Sequence, residues 1–441
     1  MKKYLSLFLF AAMIASGARA QKELTDYLRP AVFSLTMVMV HDVVNPPAAT
    51  RYYAYALLGA YELVAQHDAA IVKPGSFIKS YPPGKIPDSG AYDYRVAAAF
   101  SILETGRVML PSGYLLEEQE TKFRQLLKKL HYGDAVIARS FAAGRRATQK
   151  MVAFSKGDGY NLLSARLRYT PLKNDSSWYP TPPAYMEAVE PHWQTIRPMI
   201  IDSSNQFMPP PLVHFSTDTG SAFYHLVQEV YRISRDTGAQ GDYERTIANF
   251  WDCNPFNVVT SGHMMIGIKK ISPGGHWLDV AGIAAGAAGL DFDRTVAVET
   301  LVAVTLMDAF IVCWDAKYQS NRIRPETYIN RYIDPRWRPL LQTPPFPEYT
   351  SGHSVISTAA AEMLTYLLGT RLDYTDNAEE LFDIKPRSFH SFREAAEEAA
   401  ISRLYGGIHY RDGVVSGQVE GKEVGDYIVG KVRAAGVKPL R

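Results

Sequence analysis

The chain has 441 residues, 47 Lys+Arg against 45 Asp+Glu, and is 47% hydrophobic, 21% charged and 12% aromatic. These proportions belong to a folded globular protein and exclude a disordered chain, a collagen-like repeat and a coiled-coil rod. The near-neutral balance offers no footprint for nucleic acid. The two cysteines, Cys253 and Cys313, exclude a disulfide-dense scaffold and leave at most one disulfide open.

Lys2 and Lys3 precede an apolar run from Tyr4 to Ala15, and Ala18-Arg19-Ala20 sets small residues where a signal peptidase reads. Residues 1–20 are therefore predicted to be a secretory signal cleaved after Ala20, with a secreted or periplasmic mature chain. The run is shorter than the about 20 apolar residues a membrane span needs.

Apolar residues at helical spacing over Leu24–His41 and Ala48–Gln66, interrupted at Asn45-Pro46-Pro47, predict a helical hairpin. Further helices are predicted over Asp93–Leu110, Tyr114–Leu130 and Asp134–Lys156, so that residues 21–157 form an N-terminal bundle. Nine prolines and eight aromatics then accumulate between Asp158 and Asp218. That aromatic density predicts an ordered strap over residues 158–220, with a disordered linker as the alternative. Helical periodicity returns over Ser221–Arg235, Asp242–Trp251, His276–Leu290, Asp293–Trp314, His353–Leu368, Ser391–Leu404 and Val415–Val432, giving a second bundle over residues 221–441. Val296–Trp314 is apolar enough to raise a membrane span, but Glu299 and Asp308 inside it favour a core helix. No strand-rich region is expected, and the fold class is all-α with two helical bundles.

Three segments carry chemistry. Lys317 is followed seven positions later by Arg324-Pro325; a continuous helix would keep both cations on one face, and Pro325 would end it. Taken alone the pair is a weak signal, and a surface Lys and Arg on a solvated face is the usual explanation. Pro347-Glu348-Tyr349-Thr350-Ser351-Gly352-His353 leads into an apolar helix whose unpaired amides would face an anion, with Ser351 or Thr350 as cap. In Ser402-Arg403-Leu404-Tyr405-Gly406-Gly407-Ile408-His409-Tyr410-Arg411-Asp412, a third cation precedes a His with a carboxylate three positions on, able to orient the imidazole if His409 opens a helix. Together these residues equip a pocket for a tetrahedral oxyanion. Ser261-Gly262-His263 repeats part of the second segment without the other two and is set aside.

In order, the segments resemble the signature K-x6-R-P, P-S-G-H, S-R-x5-H-x3-D of the vanadium-dependent haloperoxidases and type 2 phosphatidic acid phosphatases, particularly the larger soluble bacterial members. Two positions depart: Thr350 stands for Pro, and Asp412 comes one residue early, with Gly413 at the fourth place after His409. The resemblance implies a vanadate cofactor held by Lys317, Arg324, Ser351, Gly352 and Arg403, with His409 as the vanadium ligand. It further implies His353 as acid–base residue, Asp412 as the carboxylate behind His409, and hydrogen peroxide and halide as substrates. Trp314 and Phe346 stand where chlorinating members carry the same aromatics. Asp252 or Asn254 is a candidate support for His353. The same residues would serve a secreted acid phosphatase, His409 attacking phosphorus and no cofactor bound, or a non-catalytic phosphate- or vanadate-binding protein.

Overall fold

The helical periodicities become thirteen α-helices among the residues described by the structure, a computed structural model covering residues 2–87, 90–261, 263–267 and 269–441. The first half contains α1 (Lys2–His41), α2 (Pro46–His67), α3 (Tyr94–Met109), α4 (Glu117–Lys129) and α5 (Asp134–Ser155). The second contains α6 (Ala222–Ile233), α7 (Ala239–Phe250), α8 (Pro273–Ala287), α9 (Phe292–Ser320), α10 (Pro325–Tyr332), α11 (Gly352–Leu368), α12 (Phe392–Tyr405) and α13 (Arg411–Ala434). The all-α class and the two bundles stand as expected. Two short antiparallel hairpins were not anticipated: β1 (Val258–Ser261) with β2 (Met264–Gly267), and β3 (Tyr374–Asp376) with β4 (Arg387–Phe389).

Asn45-Pro46-Pro47 is the start signal of α2. The Asn45 side chain accepts a hydrogen bond from the Ala48 amide at 2.9 Å, and the prolines fill the first turn, where no amide is needed. The central element is α9, buried from Phe292 to Lys317 and packed against α2 and α8 on the N-terminal side and α11 and α13 on the C-terminal side. It is long and apolar enough to cross a membrane, yet its most apolar window is entirely buried within the protein, as expected of a core helix. One cluster of buried apolar side chains runs from Leu24 to Val437 through both bundles. Each fully buried Leu or Val in it is worth about 1.5–3 kcal/mol relative to exposure.

Between α5 and α6 the chain has no α-helix and only short 3-10 turns at Tyr160–Ala165 and Trp193–Thr195. Trp178 and Trp193 are fully buried. The strap is sewn to the second half by Trp178 N to Asn321 O (2.7 Å), Ile323 N to Ser176 O (2.9 Å) and Val189 N to Pro345 O (3.0 Å). The amides of Met199, Ile200 and Ile201 all donate to the buried Asp308 carboxylate of α9, at 2.7–2.9 Å.

Candidate active site

Lys317 and Arg324 converge, although not on one helix face as their spacing implied. α9 ends at Ser320, Asn321 turns the chain with a left-handed φ of 48°, and Arg324 is the extended residue before α10. Proline forces that extended geometry on its predecessor and then opens the new helix, so Pro325 starts an element where the sequence reading had it stop one. The Lys317 ammonium is buried and donates to the carbonyls of Pro347 (3.2 Å), Glu348 (3.1 Å) and Thr350. The Arg324 guanidinium donates through Nε to Phe346 O (2.9 Å) and through Nη1 to Ile408 O (2.8 Å), and Nη1 lies 3.0 Å from His409 Nε2.

Ser351 caps α11, its hydroxyl accepting from Ser354 N at 3.4 Å. Gly352 and His353 thus form the first turn, where amides lack helical partners. A Cβ on Gly352 would lie 3.7 Å from the Trp314 ring and 3.9 Å from Lys317 Cε, so this turn faces the cation-bearing end of α9. Arg403 projects from the last turn of α12 and donates to Trp251 O at 2.7 Å. Thr350 hydrogen-bonds to Glu420 of α13 and contacts Cys313 Sγ, filling with polar contacts the place of the family proline. Both cysteines are free thiols and buried.

These groups surround one cavity. His353, His409, Gly352 and Arg403 line it together with Phe256, Phe310, Trp314 and Phe346. Its volume is about 40 Å³, against the about 10–15 Å³ that a single water requires. Arg324 Nη2, Arg403 Nε and His353 Nε2 are buried polar nitrogens without a protein partner. Buried polar groups are normally paired, so these three nitrogens are left open for a partner the protein itself does not supply.

The electrostatics follow from crowding cations in a dry space. Burial, reinforced by Arg324, brings Lys317 down to about 8. Burial also lowers Arg324 to about 10. Burial and the neighbouring Arg403 and His409 hold His353 well below the ordinary histidine range, and burial with Arg324, Lys317 and Arg403 does the same to His409. Both imidazoles are neutral at pH 7.

Asp412 does not reach His409. Tyr410 is the residue before α13, so His409 lies outside the helix and the shared-face geometry of i and i+3 does not apply. Asp412 instead pairs with Arg322, at 2.8 and 2.9 Å. Sequence reasoning missed Glu348, whose Oε1 lies 2.7 Å from His409 Nδ1. Asp252 pairs with Lys270 (2.8 Å) and Asn254 accepts from Phe256 N (3.0 Å). What faces His353 from that loop is the Trp251 carbonyl. His263 is exposed at the turn of the β1–β2 hairpin; Gly262 lies outside the described residues.

A second buried cluster adjoins the cavity. Cys253, His276 and Glu379 each bring one donor atom within 4.8 Å of the others, a set that could take a metal ion. His276 also bonds Asp376 at 2.7 Å. Burial is the largest single influence and opposes its charge, but Asp376 and Cys253 together outweigh it and raise its pKa well above the ordinary value. The resulting imidazolium lies between the carboxylates of Asp376 and Glu379, 2.7 and 3.2 Å away, while Glu379 Oε2 has no hydrogen-bond partner.

An all-α fold of two bundles, with an oxyanion pocket made by Lys, two Arg, a helix N-terminus and two His, defines the haloperoxidase and type 2 phosphatase class. Residues 298–436 match the VCPO second helical-bundle domain. The solved structure of the first bacterial vanadium-dependent iodoperoxidase is 37% identical, with 92% of this chain and 96% of that chain covered and a TM-score of 0.85. Holo and apo structures of a bacterial vanadium-dependent chloroperoxidase share the fold at 16% identity and a TM-score of 0.64, covering 89% of this chain and 93% and 95% of theirs. No curated protein matches the sequence. The chain belongs to the vanadium-dependent haloperoxidase family and is a haloperoxidase-like oxidoreductase.

Proposed function

We propose that this enzyme binds vanadate in the cavity and uses hydrogen peroxide to oxidise a halide, iodide being the preferred one. The observation that carries the reading is the pair of buried, unpartnered guanidinium nitrogens of Arg324 and Arg403, which can donate to the oxygens of a tetrahedral anion, with the His353 Nε2 lone pair also unpartnered. Lys317, Arg324 and Arg403 would neutralise its charge, Ser351 and the Gly352 amide would donate to it, and His409 Nε2 would ligate the metal. Bound vanadate supplies a Lewis acid that activates peroxide.

His353, held neutral and with Nε2 unpaired, is placed to take a proton from incoming peroxide and return it to a leaving oxygen. The rings of Phe256, Trp314 and Phe346 give the cavity an apolar lining, with the Lys317 ammonium and the Arg324 guanidinium each 5.2 Å from the centre of the Phe346 ring. A large, weakly hydrated halide loses least on entering such a lining, and the 37% identical relative is an iodoperoxidase. The apolar start of the chain supports export, with residues 1–20 removed.

Vanadate titration by calorimetry, followed by peroxide-dependent oxidation of iodide, bromide and chloride, tests the reading. One vanadate per chain, activity only with vanadate, and iodide turned over fastest are expected. Arg403→Ala should lose at least about 100-fold in vanadate affinity, as expected for a buried charge-assisted contact. Iodide oxidation that is indifferent to vanadate would overturn it.

A further inference from the structure

We propose that Glu348 is the positioning carboxylate of His409, and that Glu348 and Gly413 form an exchanged pair: the carboxylate that the family signature carries four residues after the His arrives here from the loop before α11. The proposal rests on the reading of His409 as the anion ligand.

The proton on His409 can be assigned from its neighbours. Its Nε2 lies 3.0 Å from Arg324 Nη1, and a guanidinium has no lone pair to offer, so Nε2 is the acceptor. Nδ1 then carries the hydrogen and donates to Glu348 Oε1 at 2.7 Å. The carboxylate therefore holds the Nδ1–H side of the ring and fixes its orientation, while the Nε2 lone pair, here taken by Arg324, is the one a ligand would claim. Asp412 cannot substitute, because its oxygens are engaged by Arg322, by Gly413 N at 2.8 Å and by Val213 N at 3.2 Å.

Space tells the same story. A Cβ on Gly413 would overlap Glu348 Oε1 and lie 3.0 Å from its carboxyl carbon. The Glu348 carboxylate thus fills the volume that a side chain at position 413 would need, and glycine is what admits it. The carboxylate is fixed on both oxygens: Oε1 also accepts from Tyr410 N at 3.2 Å, and Oε2 pairs with Arg322 at 3.1 Å. Arg322 is 3% exposed, flanked by the rings of Phe223, Tyr349 and Tyr410, and it joins Glu348 to Asp412. The Asp that is one place out of register therefore acts through Arg322 on the carboxylate that replaced it. The Glu348 carbonyl in turn receives Lys317, so one residue orients two groups of the pocket.

Histidine-selective ¹⁵N NMR of the protein without anion reads the tautomer directly, and calorimetry with vanadate reads its consequence. The parent should show His409 protonated at Nδ1. Glu348→Ala and the milder Gly413→Ala, whose methyl displaces the carboxylate without deleting it, should both lose the hydrogen bond from Nδ1, seen as an upfield move of the Nδ1 proton, and weaken vanadate about 10–100-fold, the range for lost partners behind metal ligands. The relocation variant Glu348→Ala/Gly413→Asp should regain that hydrogen bond and most of the affinity. If Glu348→Ala does not fold, Gly413→Ala carries the test. An unmoved Nδ1 proton in the single variants, or no recovery in the relocation variant, overturns the exchange. A parent that binds no vanadate while the Nδ1 proton moves as stated would instead overturn the anion-site reading.

Discussion

Lys317 is fully buried with three carbonyls as its partners, and that fixes how the pocket responds to pH. Burial is the larger influence and brings the ammonium down to about 8, so above that pH the empty pocket loses a positive charge. An incoming anion favours the charged form and must then take up a proton. Affinity for a tetrahedral dianion whose own charge is constant, such as molybdate, should therefore be flat below pH 7 and weaken by about tenfold per pH unit above 8. Lys317→Arg, charged throughout, should flatten the profile. An unchanged slope in that variant, measured by calorimetry from pH 6 to 10, would assign the titration to another group. That Lys317, Arg324, Ser351, Gly352, His353, Arg403 and His409 gather around one region was legible in the sequence because they sit in three short segments that point to a shared pocket only when taken together in order. Glu348 was not, since it meets His409 across 61 residues and the local pattern offered a nearer carboxylate in Asp412.

Element boundaries were readable where the chain carries its own signals. Asn45 and Ser351 cap α2 and α11, and Pro-rich aromatic sequence marked the strap. Helix α10 was hidden because its Pro325 reads equally as an end and a beginning, and the hairpins were hidden because strands of three or four residues leave too short a pattern. The strap's anchorage was also illegible: Asp308 appeared only as a charge inside an apolar helix. Its carboxylate collects the three amides of Met199, Ile200 and Ile201, and an amide side chain there would turn an NH₂ toward at least one of them. Asp308→Asn should cost about 2–3 kcal/mol in denaturant unfolding at pH 8. Limited proteolysis should find the bonds between residues 158 and 218 cut earlier than in the parent. Equal cleavage rates would show that the strap is held by its tryptophans instead.

At the scale of the whole molecule, α9 lies between the bundles, so a charge buried in it bears on global stability. Glu299 is fully buried, both its oxygens lack partners, and burial with nearby Asp279 pushes its pKa up to about 8. Below the ordinary glutamate value near 4.5 the folded and unfolded chains are both protonated there, and the site contributes nothing to pH dependence. As pH rises from there to about 8, the unfolded chain releases this proton and the folded chain keeps it, so stability falls by about 1.4 kcal/mol per pH unit. Above 8 both forms are ionised and the penalty levels off at several kcal/mol. Glu299→Gln, neutral in both states, should lack this slope. Its stability relative to the parent, from chemical denaturation at pH 4 to 9, should climb through that window and then plateau. His353 and His409 slope the other way, because both are kept neutral when folded and their cost appears only as pH falls through about 6.5, where the unfolded histidines charge. The comparison of variant with parent cancels that arm, since both histidines are present in each. A difference between the two proteins that stays constant with pH would mean that Glu299 is ionised in the folded chain, with α9 carrying a compensated charge through the middle of the molecule.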